Sequence, residues 1–274
     1  MTAFILKIIA LASMIIDHTG AVFPHYFGLE FRVIGRIAFP IFVYLLAEGF
    51  RHTRSPYKFL VRLGIFAIIS EPFFDLALRS DLQAVEYVSL QFIMDNINFF
   101  AYTNIFYTLF FGGVAICGFD YIIKWKESQS SRSAKPKARS ERGSFSSFVY
   151  NNNLKIIAAG MLIIASLILA EVLTTDYASY GVMFILIMYA ITNKKARLAV
   201  MAIMCVWQHS WILGFIFGGY LDFLDILHIM MIPATLVPVL LVAIYNGKRG
   251  PNFKMVFYAV YPAHLAVLFI IAIA

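Results

Sequence analysis

Residues 4–24 read FILKIIALASMIIDHTGAVFP, an apolar run of spanning length that nonetheless carries Lys7, Asp17 and His18. About 20 such residues cross the roughly 30 Å hydrocarbon layer of a bilayer, where an ionisable group costs kilocalories unless it is paired or wetted. These three residues therefore need partners or a task. Lys7 and His18 are eleven residues apart, three helical turns plus about 20°, so they share one helix face about 16 Å apart. Asp17 points about 100° away from His18 and must find its partner on another helix.

The rest of the chain resembles this stretch. Of 274 residues, 61% are hydrophobic, 16% aromatic and only 14% charged, with a mean hydropathy of +0.81, whereas soluble domains are about a quarter charged. The composition predicts an integral membrane protein, all-α, built as a single polytopic helix bundle over residues 1–274. Lys7 is the lone charge near the start and no small-residue cleavage site follows, so the first run reads as a retained helix rather than a signal peptide. Cys117 and Cys205 lie inside apolar runs and read as small buried side chains, not a disulfide. There is no His-Glu-x-x-His, Gly-x-Ser-x-Gly or Gly-rich phosphate signature, and His25 follows Pro24 outside the helix, so no metal is expected.

Apolar segments fall at 4–23, 32–50, 59–79, 98–123, 153–173, 177–192, 197–217, 222–245 and 253–273, about nine transmembrane helices in all. The connections alternate in charge. Arg51, Arg54, Lys58 and Arg62, then seven Lys or Arg between Lys124 and Arg142, then Lys194, Lys195 and Arg197, then Lys248, Arg249 and Lys254 mark one side. Asp81, Glu86 and Asp95, then Asp176, then Asp222 and Asp225 mark the other. The positive-inside rule puts the N-terminus in the cytoplasm and the C-terminus outside. Topology thus accounts for the net charge of +7, and no nucleic-acid partner is expected; membrane lipids are. Residues 126–147, rich in Ser and basic residues, read as a flexible basic cytoplasmic linker able to touch anionic lipid. Residues 81–96 are too polar to span and read as an outer-surface segment, partly an amphipathic helix. LKIIA occurs at 6–10 and at 154–158, but position 166 is Ser where the first copy has His18, so the recurrence reads as coincidence.

Helix direction assigns depth to the remaining polar groups. His18, Arg36 and Asp75 fall at one level near the outer ends of their helices. Glu71 lies one turn deeper on the face of Asp75, Arg32 at the rim, and His228 near the same level, together suggesting an outward-opening polar pocket. Ion pairs that merely join helices, such as Arg36 with Asp17 or Asp75, are the plainer alternative. Gln208, His209 and His264 lie near the bilayer middle, where an imidazole also serves as a hydrogen-bonding strut. On the cytoplasmic side, Lys7, Glu48, Arg51, His52, Arg54, Lys58, Arg62, Lys248 and Arg249 form a cluster able to grip phosphates.

The strings LKIIALASMIIDHTGAVFP, FRVIGRIAFPIFVYLLAEGFRHTR, ISEPFFDLA, NIFYTL, YNGKRG and FYAVYPAHL, running in order from residue 6 to 265, resemble the TraX family, named for a protein that acetylates the N-terminus of F-pilin. That family is similar to the acyltransferase-three membrane enzymes, whose first helix carries Arg or Lys, ten residues, then His; here these are Lys7 and His18. The resemblance implies an acetyltransferase of the bacterial inner membrane that takes acetyl-CoA as co-substrate from the cytoplasm and serves an acceptor at the outer face. It implies His18 as general base, its tautomer held by Asp75 or Asp17, and Arg36 stabilising the oxyanion, with Glu71 beside them. Lys7, Arg51, Arg54, Lys58, Lys248 and Arg249 would hold the CoA phosphates. Arg32, Gln208, His209, His228 and His264 would bind substrate or brace the bundle.

The two clusters stand well apart, so either the pantetheine arm threads into the bundle or an acyl-enzyme relays the group. No nucleophile stands out, which favours threading. The acceptor remains open among a pilin amine, a surface glycan and a lipid headgroup. A proton-coupled transporter or flippase would also need intramembrane His, Asp and Arg, but the halves show no inverted repeat. An assembly factor without chemistry is the third reading.

Overall fold

The computed structural model describes the backbone of residues 1–80, 87–133, 145–208, 223–251 and 253–274, and their side chains except those of 129–152, 223–230 and Lys254. Asp81, Glu86, His209 and Asp222 lie outside the described residues, and so do the side chains of Asp225 and His228.

All regular structure among the described residues is helical: α1 (Ala3–Val22), α2 (Pro24–Gly35), α3 (Ala38–His52), α4 (Pro56–Phe74) running into a π-helical turn (Asp75–Arg79), α5 (Leu90–Asn96), α6 (Ile105–Ser133), α7 (Phe145–Val172), α8 (Ala178–Ala190), α9 (Lys194–Trp207), α10 (Phe223–Ala243) and α11 (Lys254–Ile273). Local chemistry sets several starts. The Ser55 hydroxyl accepts from the Lys58 amide at 3.3 Å with Pro56 in the first turn, and Asn193 caps α9 through the Ala196 amide at 3.1 Å. Both satisfy donors that a helix start otherwise leaves open.

Five stretches are long and apolar enough to cross a membrane: Ala3–Val22, Pro24–His52, Ile105–Ser128, Asn153–Val172 and Met255–Ile273. Among the described residues the other expected segments are also helical, but differently, and residues 209–217 of the segment at 197–217 lie outside them. Helix α4 carries Lys58, Arg62 and Glu71, while α8 and α9 have only 13 and 14 residues. The second expected segment differs most. Its helical start is pulled back to Pro24, bends at Gly28, where φ is +44°, and breaks before Ala38. Helix α6 runs on through Ser133, so residues 126–133 of the expected linker are helical, and 134–144 lie outside the described residues. Of the expected outer piece at 81–96, residues 90–96 form α5, while 81–86 lie outside the described residues.

Helix α3 is buried nearly all round, by Phe39, Ile41, Val43, Leu46, Ala47 and Phe50 among others, as suits a central helix. It packs on α1, α6, α8 and α10. Helix α7 instead exposes Ile157, Met161, Ile164, Ile168 and Val172, a face suited to lipid. Helices α1 and α11 start at the same end and run side by side. The loop before α11 supplies the carbonyls of Lys248 and Arg249 to the amides of Ala3 and Phe4, at 2.9 and 3.1 Å, and the Asn246 amide donates to the Met1 carbonyl at 2.9 Å. Gly250, at φ +74°, makes this clasp possible, because a Cβ there would stand 2.8 Å from that of Phe4.

Contacts sort the charges by end. Glu48 with Arg197, and Lys194 with the carbonyls of Ala243 and Tyr245, lie at the end where α1 begins. Asp17, Asp75 and Asp176 lie at the other, where the α6 and α8 starts meet through the Thr108 and Thr175 hydroxyls at 2.9 Å. The first is the basic end of the bundle, the second its far end.

Candidate functional site

A cavity of about 510 Å³ enters the bundle from the basic end. Lys7, Glu48, His52, Arg62 and Arg249 ring its mouth, Leu11, Met14, Leu45 and Leu109 form its walls, and Phe106 and Tyr261 lie at its inner end. The loop clasp explains why Lys7 and Arg249, far apart in sequence, share this rim. The acid on the rim is already engaged: Glu48 binds Arg197 at 2.8 Å and His52 at 3.0 Å, so the mouth keeps a net positive field. Lys7 Nζ sits 5.2 Å from the centre of the Phe257 ring. Arg62 lies 5.9 Å over Phe59, and its Nε is buried without a hydrogen-bond partner. Rim cations with a buried unpaired nitrogen suit phosphate, and an apolar channel behind them suits an extended arm.

Tyr261 joins the cavity to His18 of α1. Its ring is 2% exposed and meets His18 edge-on at 6.0 Å and His264 at 5.5 Å. Its buried hydroxyl lies beside the Ile105 backbone yet makes no hydrogen bond of good geometry. His18 Nδ1 lies 2.7 Å from His264 Nε2, the rings nearly coplanar and edge to edge, with centroids 5.0 Å apart and planes 14° apart. The His18 partner is thus His264, not Asp17 or Asp75. Asp17 lies on a different helix face, and Asp75 is held at the far end, where it accepts from the Asn98 amide at 2.7 Å.

At the far end ion pairs join α1 to α2 and the turn after it. Arg32 reaches Asp17 at 2.8 Å and Arg36 reaches it at 3.1 Å, while Arg36 Nε donates to the Arg32 carbonyl at 3.1 Å. Gly35 permits this approach, since a Cβ there would fall 2.1 Å from Asp17 Oδ1. Asp176 and Tyr177 stand near Arg36, with Tyr177 stacked on Phe39. Asp176 keeps an accessible edge, but protein crowds it on the other sides. That crowding pushes its carboxyl up to about 6, with Arg36 pulling the other way. Glu71, fully buried, accepts from the backbone and side chain of Asn104, which also caps α6 through the Phe106 amide at 2.9 Å. Glu71 therefore ties α4 to α6 and stands apart from His18 in hydrogen bonding.

Among the expected phosphate ligands, Lys7 and Arg249 line the cavity, whereas Arg54, Lys58 and Lys248 are exposed outside its lining. Arg51 is engaged elsewhere. Its guanidinium donates to the carbonyls of Met188, Tyr189 and Ile191 and lies over the Tyr189 ring at 5.6 Å, so it caps the end of α8. The sequence reading placed Arg62 in the basic cluster but not among the phosphate ligands, and it missed Tyr261 altogether. The string YPAHL held the signal for Tyr261, since residues three apart share a helix face. Gln208, half-buried, closes α9 through its amide on the Met204 carbonyl at 3.1 Å.

A family model described as TraX protein matches residues 3–272, which include the α1 and α11 histidines and the whole cavity lining. The chain belongs to the TraX family. A TraX-like relative from Dichelobacter nodosus, named a probable fimbrial assembly protein FimC of serogroup H1, is 28% identical over 279 residues, covering 97% of this chain and 94% of the relative. No solved structure matches. Among the described residues no group of His, Cys, Asp and Glu is arranged to hold a metal ion.

Proposed function

We propose that this TraX-family protein is a membrane-embedded acetyltransferase, moving an acetyl group from cytoplasmic acetyl-CoA to an acceptor presented from the outer face of the bacterial inner membrane. The observation that carries the reading is the cavity: a cationic mouth, an apolar channel and an inner end at Tyr261, whose ring meets His18 edge-on. Nine spans with a cytoplasmic N-terminus would put the mouth where acetyl-CoA is found. Lys7, Arg62 and Arg249 would hold the CoA phosphates while the pantetheine arm threads the channel. Threading would bridge the separation of the two clusters without an acyl-enzyme.

In the reaction, the acceptor amine or hydroxyl attacks the thioester carbonyl and its proton passes to His18. The carbon–sulfur bond then breaks, and the departing thiolate takes that proton from the imidazolium to leave as CoA thiol. The unpartnered Tyr261 hydroxyl suits the developing oxyanion better than Arg36, which Asp17 already engages. The name of the Dichelobacter relative favours a pilin amine over a surface glycan or lipid headgroup as acceptor.

Purified protein in nanodiscs should bind acetyl-CoA and release free CoA slowly. Arg62→Ala with Arg249→Ala should raise KM about tenfold or more by removing charge-assisted phosphate contacts, and Leu45→Trp should block the channel and abolish binding. Wild-type protein with no affinity for any acyl-CoA would sink the proposal. Substrate flux in proteoliposomes without acetyl-CoA would replace it with transport.

A further inference from the structure

We infer that His264 positions the catalytic base, holding His18 in the tautomer whose Nε2 is unprotonated; the inference rests on the acyltransfer reading above and adds a residue to it. The hydrogens fix the tautomers. His264 Nδ1 lies 3.0 Å from the Val260 carbonyl, one turn earlier on α11. A carbonyl only accepts, so this nitrogen carries a hydrogen. The pair is 8% and 9% exposed among apolar helices, and a charge there is costly, so both rings rest neutral. A neutral imidazole has one N–H, which leaves His264 Nε2 with a lone pair. His18 Nδ1, 2.7 Å away, must then be the donor. The second nitrogen of His18, Nε2, is left as the base.

The arrangement does with a neutral ring what a carboxylate does behind many catalytic histidines: it sets the tautomer and orientation and stabilises the imidazolium once formed. The backbone of α11 is the anchor, since Val260 holds His264 and His264 holds His18. Tyr261, edge-on to both rings, restricts them to this near-coplanar pairing. Proton transfer then balances: the acceptor proton goes to His18 Nε2, the hydrogen on Nδ1 stays shared with His264, and the Nε2 proton leaves on the CoA thiolate.

Histidine-¹⁵N-labelled protein in nanodiscs tests the tautomer without substrate, with His18→Gln and His264→Gln spectra assigning the two rings. The expected wild-type spectrum has His18 protonated at Nδ1 and unprotonated at Nε2; the reverse overturns the inference whatever the activity. Turnover supplies the second arm. His264→Gln, whose Oε1 can accept near the position of Nε2, should keep kcat within about threefold, whereas His264→Leu should lose at least about tenfold in kcat with KM for acetyl-CoA within about twofold. Equal losses in Gln and Leu variants, or full kcat in the Leu variant, would reduce His264 to a structural strut. Should the Leu variant fail to bind acetyl-CoA through misfolding, the wild-type and Gln spectra decide alone. Wild-type protein with the expected tautomer but no turnover would instead sink the acyltransfer reading.

Discussion

Asp17 shows how a single intramembrane charge is accommodated. Arg32 of α2 and Arg36 just past its end enclose it, and the missing side chain at Gly35 lets the chain approach closely enough for both to reach. Removing the carboxylate leaves two guanidinium groups facing each other in a half-buried site. Asp17→Asn should therefore destabilise the bundle by about 2–3 kcal/mol, read as a lower apparent Tm in detergent. Gly35→Ala pushes Asp17 off the same arginines, so the double variant should lose little more than the larger single loss; fully additive losses would show that the two changes act independently. Donor binding at the basic end should be unaffected by either.

At the scale of elements, the end of α8 explains why a basic residue can be misassigned from its neighbours. Arg51 opens a run of cations from the last turn of α3, yet the last carbonyls of α8 come within its reach and take its donors. A cation at a helix C-terminus satisfies orphan acceptors and complements the helix dipole. Arg51→Ala should cost about 1–2 kcal/mol of stability, with KM for acetyl-CoA within about twofold of wild type. A large rise in KM at unchanged Tm would return Arg51 to the phosphate site. The α1–α11 pair shows the converse. No charge pattern announces it, but the loop clasp sets the two helices side by side from their first turns, and this registration brings His18 and His264 into hydrogen-bond distance.

For the whole molecule, the segregation of charge predicts orientation. In a variant lacking Cys117 and Cys205, Ser55→Cys at the basic end should be shielded from an impermeant maleimide in intact spheroplasts. Ser89→Cys at the far end should be labelled. The opposite pattern would put the cavity mouth outside and remove acetyl-CoA from reach.

The sequence alone determined that the chain is helical and apolar enough for a membrane, since hydropathy and helix length are local properties, and its ordered motifs carried the family. It also showed that Lys7, Asp17 and His18 needed explanation, because the cost of a charge in hydrocarbon depends on where the residue falls in its own helix. Partner choice was another matter. That Asp17 binds Arg32 and Arg36, that Arg51 caps α8, that Glu71 serves Asn104, and that Lys7, Arg62 and Arg249 share one cavity were decided only by tertiary packing. So was the pairing of His18 with His264, 246 residues later. Spacing along one helix predicts which residues share its face, but which neighbouring helix that face meets is set by close packing across the whole bundle.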